Sequence, residues 1–374
     1  MQALVVRRGG SRGAAPGLTV PAASPISRVS STCWILGTSL SAIDAAMAVV
    51  THHGDFVEEG GETVGFVLDP GCEALSITLM SRSCILPETD FYCPIPYEPL
   101  TIATPQALED LAQEGGASLL DKAYDLLARE IAAADPAWTQ RIDLFALDVE
   151  TFTDAYFADR QRHDPFRWAQ YNLAESEANK RNRVTVAWRY AILRLHEAFQ
   201  EIVPNFEPDD RERFDKTLSR VFTDNYAAIP AESIRRLLAL KLAGILDTLE
   251  LGNDYDKQVL DDLTILTIDG ARHEFDVFID ARGQRAMMSS DLPFPRLRQK
   301  LLAVGQDVPD VCDDYSLNEP QAARGRIALG ALPYLMHDQP FVQGITASAE
   351  IGSKIAAITR TAPSRVRRKL ALSH

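Results

Sequence analysis

Cys33-Trp34-Ile35-Leu36-Gly37-Thr38-Ser39-Leu40-Ser41-Ala42-Ile43-Asp44-Ala45-Ala46 is the stretch on which the fold turns. A short apolar run meets a glycine, small residues follow, and an amphipathic helix begins. That is the strand, tight turn and helix of a mononucleotide-binding βαβ unit. The usual fingerprint is G-x-G-x-x-G or G-x-G-x-x-A, and here it reads Gly37-x-Ser39-x-x-Ala42. Gly37 can make the tight turn. Ser39 is small, although it puts a Cβ where backbone must approach a pyrophosphate. Ala42 lets the helix lie close on the strand, and the free N–H groups of the helix start face an anion. A turn of small residues between strand and helix also occurs in α/β proteins that bind no nucleotide, so the motif alone leaves both readings open.

The surrounding chain narrows the choice. Its 374 residues are enough for two or more domains, and 46% hydrophobic with 24% charged residues reads as globular. A net charge of -14 argues against a general nucleic-acid surface. No apolar run approaches the ~20 residues of a membrane span. Cys33, Cys72, Cys84, Cys93 and Cys312 form no C-x-x-C pair, which gives no zinc ribbon or redox dithiol and fits a reduced, cytoplasmic protein. His52-His53 resembles a metal signal, but adjacent helical residues do not share a face, so the pair reads as structural. Residues 7–31 are rich in Arg, Gly, Ser, Ala and Pro; arginines without acids make a transit peptide one reading, and a disordered or non-native segment over 1–31 the favoured one.

Outward from the first unit, residues 55–72 read as an acidic loop or hairpin, and Leu75–Arg82 as the second strand. In a dinucleotide fold the end of this strand meets the adenosine ribose. An acid there suits the 2′-OH of NAD and an arginine the 2′-phosphate of NADP. The strand ends in Ser81-Arg82, so Arg82 is the candidate phosphate ligand, with a solvated arginine as the plain alternative. The interval from Gly37 is more than twice the usual ~20 residues, and the acidic insertion accounts for it. The proline-rich stretch 85–104 has no regular pattern. Residues 105–224 read as a helical insertion. Within it, Lys180, Arg181, Arg183, Arg189 and Arg194 read first as a solvated face, with phosphate binding as the alternative, and His196 as a core-edge histidine. A helix opening at Ile229-Pro230 follows, with strands at 245–251 and 263–268. Glu274 to Gly283 then reads as one buried strand ending in Ala281-x-Gly283, and a small-residue helix covers 346–358.

Together these residues resemble the YdhS-like bacterial FAD/NAD(P)-binding oxidoreductases. The resemblance rests on Ile35–Ala46, Ile77–Pro99, Asn225–Leu240, Phe275–Gln284 and Gly325–Gly352. The segments Leu86–Tyr97 and Asn225–Pro230 are long enough to be specific. What it implies is an α/β fold of two-dinucleotide-binding (Rossmann-like) flavoprotein type with a large helical insertion. The NAD(P)-binding part would span 32–104 and 225–270, the C-terminal part of an FAD-binding domain 271–358, and a basic tail 359–374. Gly37, Ser39 and Ala42 would take NAD(P). Ala281 and Gly283 would allow close approach to FAD, Gly330 would sit on the last FAD-domain strand, and Gln343 and Gly344 would lie near the flavin. The chain shows no N-terminal Gly-rich βαβ unit for the FAD pyrophosphate.

The expected function is therefore hydride transfer from NAD(P)H to flavin, with FAD and NADP or NAD as cofactors. A second expectation is a non-catalytic nucleotide-binding or partner-docking module that has lost FAD. The small-molecule substrate is not named by either. No catalytic acid or base stands out, and His337 and Asp338 are the nearest candidates to the presumed flavin loop. Neither a metal, a nucleic acid nor a membrane is expected as a partner.

Overall fold

The structure, a computed structural model, describes residues 32–115, 118–260, 264–275, 277–283, 286–337, 339, 342 and 344–361. These form two compact units. One holds the described residues up to Gly283 apart from Phe199–Phe206; the other holds Phe199–Phe206 and the described residues after Gly283.

In chain order the first unit opens with β1 (Thr32–Leu36), α1 (Leu40–Val50), the hairpin β2 (Gly54–Glu59) and β3 (Glu62–Leu68), and β4 (Ser76–Ser81). A helical block follows: α2 (Pro105–Glu114), α3 (Leu119–Ala134), α4 (Pro136–Ile142), α5 (Val149–Gln161), α6 (Pro165–Asn182), α7 (Ala187–Ile202), α8 (Pro208–Lys216) and α9 (Leu218–Tyr226). The sheet pattern resumes with α10 (Ala231–Leu242), β5 (Leu246–Glu250), β6 (Tyr255–Val259), β7 (Thr264–Ile268), β8 (Ala271–Phe275) and β9 (Val277–Asp280).

β1, β4, β5 and β9 form a parallel sheet in the order β5-β4-β1-β9. The chain steps outward from β1 through β4 to β5, then returns to the far side of β1 as β9. Strand order therefore reverses at β1. Both faces are buried, which is why these strands read as apolar runs rather than alternating ones. Cys33, Ile35, Ile77, Leu79 and Ile279 pack against α1, α6 and α10. Trp34, Leu36, Met80 and Phe278 pack against the antiparallel sheet β6-β7-β8 through Leu266, Ile268 and Phe275. The layers are helix, parallel sheet and antiparallel sheet.

The second unit contains α11 (Pro295–Ala303) and α12 (Gly344–Thr361). Among its described residues after Gly283, two buried clusters form, one around Leu292, Leu301, Leu317 and Tyr334 and one around Tyr315, Leu335 and Ile351. Among its described residues there is no named strand.

Three expectations change here. Glu274–Gly283 is not one strand: Phe275 closes β8 opposite Thr264, whereas Val277 opens β9 opposite Cys33. Two partners on different sheets force the break. β9 pairs with β1 and lies in the first unit, so the unit boundary falls after Gly283 rather than at 271. Gly330 lies on no strand, because nearby Ala328 makes only an isolated bridge with Ser316 and Pro333 removes a donor. A Cβ at Gly330 would instead stand 3.0 Å from Ile355 of α12. Residues 1–31 and 362–374 lie outside the described residues.

Candidate functional site

The turn after β1 is built by close approach. Gly37 takes φ +135°, and its N–H donates to the Met80 carbonyl at 2.6 Å. A Cβ there would meet the Ala281 carbonyl oxygen at 2.8 Å and the Ala42 Cβ at 3.2 Å. Glycine at the first position and alanine at the sixth thus fit one another, as the fingerprint requires. Ala281 donates its N–H to the Leu36 carbonyl at 2.9 Å, so β9 ends beside the same turn. Ala281 and Gly283 therefore share a unit with Gly37.

Ser39 is the N-cap of α1 and is exposed. Its side chain makes no capping bond, and the first turn of α1 carries no acid. The first N–H groups of the helix have no intrahelical acceptor, and the helix dipole adds a partial positive charge. The end of β4 is tied to this turn by Ser81. Its Oγ accepts from Thr38 Oγ1 at 3.1 Å and from the Cys84 N–H at 3.1 Å. Cys84 itself takes φ 50°, a left-handed conformation that costs a residue with a Cβ roughly 1–2 kcal/mol.

A cavity of about 340 Å³ opens at these strand ends. Thr38, Ser39 and Ser81 line one side, Arg82 stands exposed at the end of β4, and Phe157 and Arg220 come from α5 and α9. The Arg220 guanidinium lies 5.4 Å from the Phe157 ring centroid. Burial, and then the charge of Arg82, lower its pKa. The cavity is cationic and polar where the helix start faces it.

Behind the cavity a buried ion network fixes the segment that follows β4. Arg160 donates to Asp224 at 2.5 Å and to the Leu86 carbonyl at 2.6 Å, and Tyr156 donates to Asp224 at 2.9 Å. Glu88 accepts from Trp168 at 3.0 Å and pairs with Arg189 at 3.1 Å. Burial pushes the Glu88 carboxyl up, but Arg189 and Arg160 outweigh it and hold it below its ordinary range. Arg189 also lies 4.4 Å from the Phe91 ring centroid. The helical block thus clamps the 86–91 segment, and that segment pairs in turn with Ile229 through Glu88 and Asp90 main-chain bonds.

Other sequence candidates separate. Arg189 is buried in this network, so the basic cluster 180–194 is not uniformly a solvated face. His52 Nδ1 and His53 Nδ1 lie 2.8 Å from the carbonyls of Ala48 and Val49, where they finish α1. His196 is half-buried against Tyr226. In the second unit, Gly344 is the first residue of α12, and His337 Nε2 lies 3.1 Å from the Met287 carbonyl. Gln343 and Asp338 lie outside the described residues. Among the described residues no His, Cys, Asp and Glu group is arranged to hold a metal, and no helix is long and apolar enough to cross a membrane.

Sequence reasoning missed Arg220, Phe157 and the Glu88–Arg160–Arg189–Asp224 network. Arg220 gives no local signal, since it sits in an ordinary amphipathic helix. Glu88 does give one: an acid set directly after the apolar Ile85-Leu86-Pro87 and shortly before Phe91-Tyr92 needs a partner if it is buried.

A parallel sheet flanked by helices defines this as an α/β protein. Comparison with known proteins goes further. Residues 104–226 match the YdhS-like middle domain, so α5 and α9 of the cavity wall belong to it. The chain is 56% identical over 336 residues to the uncharacterized protein YdhS of Escherichia coli K12, covering 90% of this chain and 63% of that relative. The chain is thus similar to YdhS over most of its own length and spans 63% of that relative.

Proposed function

We propose that this chain binds NADP(H) at the carboxyl edge of its parallel sheet, as the nicotinamide-nucleotide part of a flavin-linked oxidoreductase. The reversal of strand order beside the Gly37 turn carries this reading. Open α/β sheets bind ligands outside the carboxyl ends of their strands beside such a point, and here a cavity opens at the ends of β1 and β4, next to the β1–β9 reversal. The residues present fit the group. The N–H groups at the start of α1 suit the pyrophosphate, Gly37 and Ala42 allow close approach, and Arg82 suits the 2′-phosphate. Ala281 and Gly283 would border this nucleotide.

Flavin enters on the family resemblance of Gly330–Gly352. The described residues of the second unit do not fit an FAD-binding sheet, since they form no parallel strands, and no chemical step is assigned to FAD here. That same observation favours the second reading, a nucleotide-binding module without flavin. The visible absorption spectrum of the purified chain with added FAD separates the two: a bound flavin band supports the oxidoreductase, and a colourless protein supports the module. Arg82→Ala is expected to weaken NADPH about 10- to 100-fold, as loss of a charge-assisted bond does, and NADH little. Equal effects on both, measured by calorimetric titration, would remove Arg82 from the site.

A further inference from the structure

We infer that Arg220, from the YdhS-like middle domain, is the second arginine of the phosphate subsite and closes on the nucleotide's 2′-phosphate opposite Arg82. The inference rests on the nucleotide reading above and adds a specificity-determining residue to it.

Arg82 and Arg220 line the same cavity from different elements, one at the end of β4 and one on α9. Among the described residues neither forms an ion pair with a carboxylate. Two like charges brought into one cavity are unfavourable unless anions balance them; Asp154 and Asp224 act on Arg220 in that sense without offsetting burial and Arg82, and an anionic ligand adds to them. The mutual effect is visible in Arg220, whose pKa is lowered first by burial and then by Arg82. Asp224, the acid lining the same cavity, is already engaged by Arg160 and Tyr156. Its charge is therefore shared with those partners rather than given to Arg220 alone.

The chemistry of the anion follows from the charge count. A phosphomonoester carries about −1.5 to −2 at neutral pH, with a second pKa near 6, so two guanidinium groups match it where one does not. The Phe157 ring holds the Arg220 guanidinium by a cation–π contact at 5.4 Å from its centroid, which limits its rotamers before the ligand arrives. A planar guanidinium held this way presents paired donors to phosphate oxygens. In the nucleotide pose set by the α1 start, the phosphate beyond β4 is the 2′-phosphate.

The test is calorimetric titration of the full chain and of Arg220→Ala and Arg220→Lys with NADPH and with NADH. For Arg220→Ala the expected result is a loss of about 10- to 100-fold for NADPH and under about twofold for NADH, with partial recovery in Arg220→Lys. Retained NADH binding also shows that the variant is folded. NADPH affinity of the unaltered chain should fall between pH 7.5 and pH 5.5 as the phosphate gains its proton, and this slope should flatten in Arg220→Ala. Unchanged NADPH affinity in Arg220→Ala, or equal losses for both nucleotides, overturns the inference and leaves the nucleotide reading standing. An unaltered chain that binds neither nucleotide overturns both.

Discussion

Replacing Gly37 by alanine tests whether the turn after β1 is built as described. The φ of +135° is one that side-chain-bearing residues rarely adopt, and holding it costs of order 1–3 kcal/mol. The new Cβ would stand 2.8 Å from the Ala281 carbonyl oxygen, whereas ordinary contact begins at 3.4 Å, so β1 and β9 must part by about 0.6 Å there. That movement weakens the 2.9 Å bond from Ala281 N–H to Leu36, worth about 0.5–1.5 kcal/mol. Together the substitution should destabilise the first unit by about 2–4 kcal/mol. Urea unfolding followed by tryptophan fluorescence reads this unit directly, because Trp34, Trp138, Trp168 and Trp188 all lie within it. Gly283→Ala is the control. Its φ is +91° but nothing stands within 4 Å of the added Cβ, so only the conformational cost applies. An alanine at 37 no more costly than one at 283 would refute the close-approach argument.

Two further outcomes are expected. Glu88→Gln leaves Arg189 buried without its anion, while Arg160 keeps Asp224, and should cost about 3–5 kcal/mol in the same unfolding assay. Because the folded carboxyl titrates below its ordinary range, its contribution is complete above the unfolded pKa of ~4.3 and is lost as pH falls through the folded value. The acid-side loss of stability should therefore be shallower in Glu88→Gln; an identical pH profile would contradict the network's role. Ser39→Asp should separate stability from binding. An N-cap carboxylate accepts an N–H bond that Ser39 does not, adding about 0.5–1 kcal/mol, while its charge repels a pyrophosphate and lowers nucleotide affinity about tenfold or more. Thermal unfolding and nucleotide titration of one variant check both signs.

Much of the first unit was legible in the sequence because its signals are local. Gly37, Ser39 and Ala42 mark β1, the turn and α1, and the apolar runs at 75–82 and 245–251 mark β4 and β5. The acidic, glycine-containing stretch 55–72 reads as a loop or hairpin, and the hairpin is what forms. What failed depends on partners distant in the chain. Phe275 and Val277 read as one strand because nothing local shows that one pairs with Thr264 and the other with Cys33. Arg189 read as solvated because its carboxylate, Glu88, lies about a hundred residues earlier. Arg220 gave no signal for the same reason, since the cavity it lines is assembled by α5, α9 and the ends of β1 and β4. The family resemblance set Gly330 on a strand, yet the described second unit offers it no adjacent strand.

The most direct measurement is calorimetric titration of the purified chain with NADPH and, separately, with NADH. The cavity at the carboxyl ends of β1 and β4, with Arg82 at its edge, predicts one site per chain that binds NADPH at least tenfold more tightly than NADH. Absence of binding, or equal affinity for the two, would contradict it.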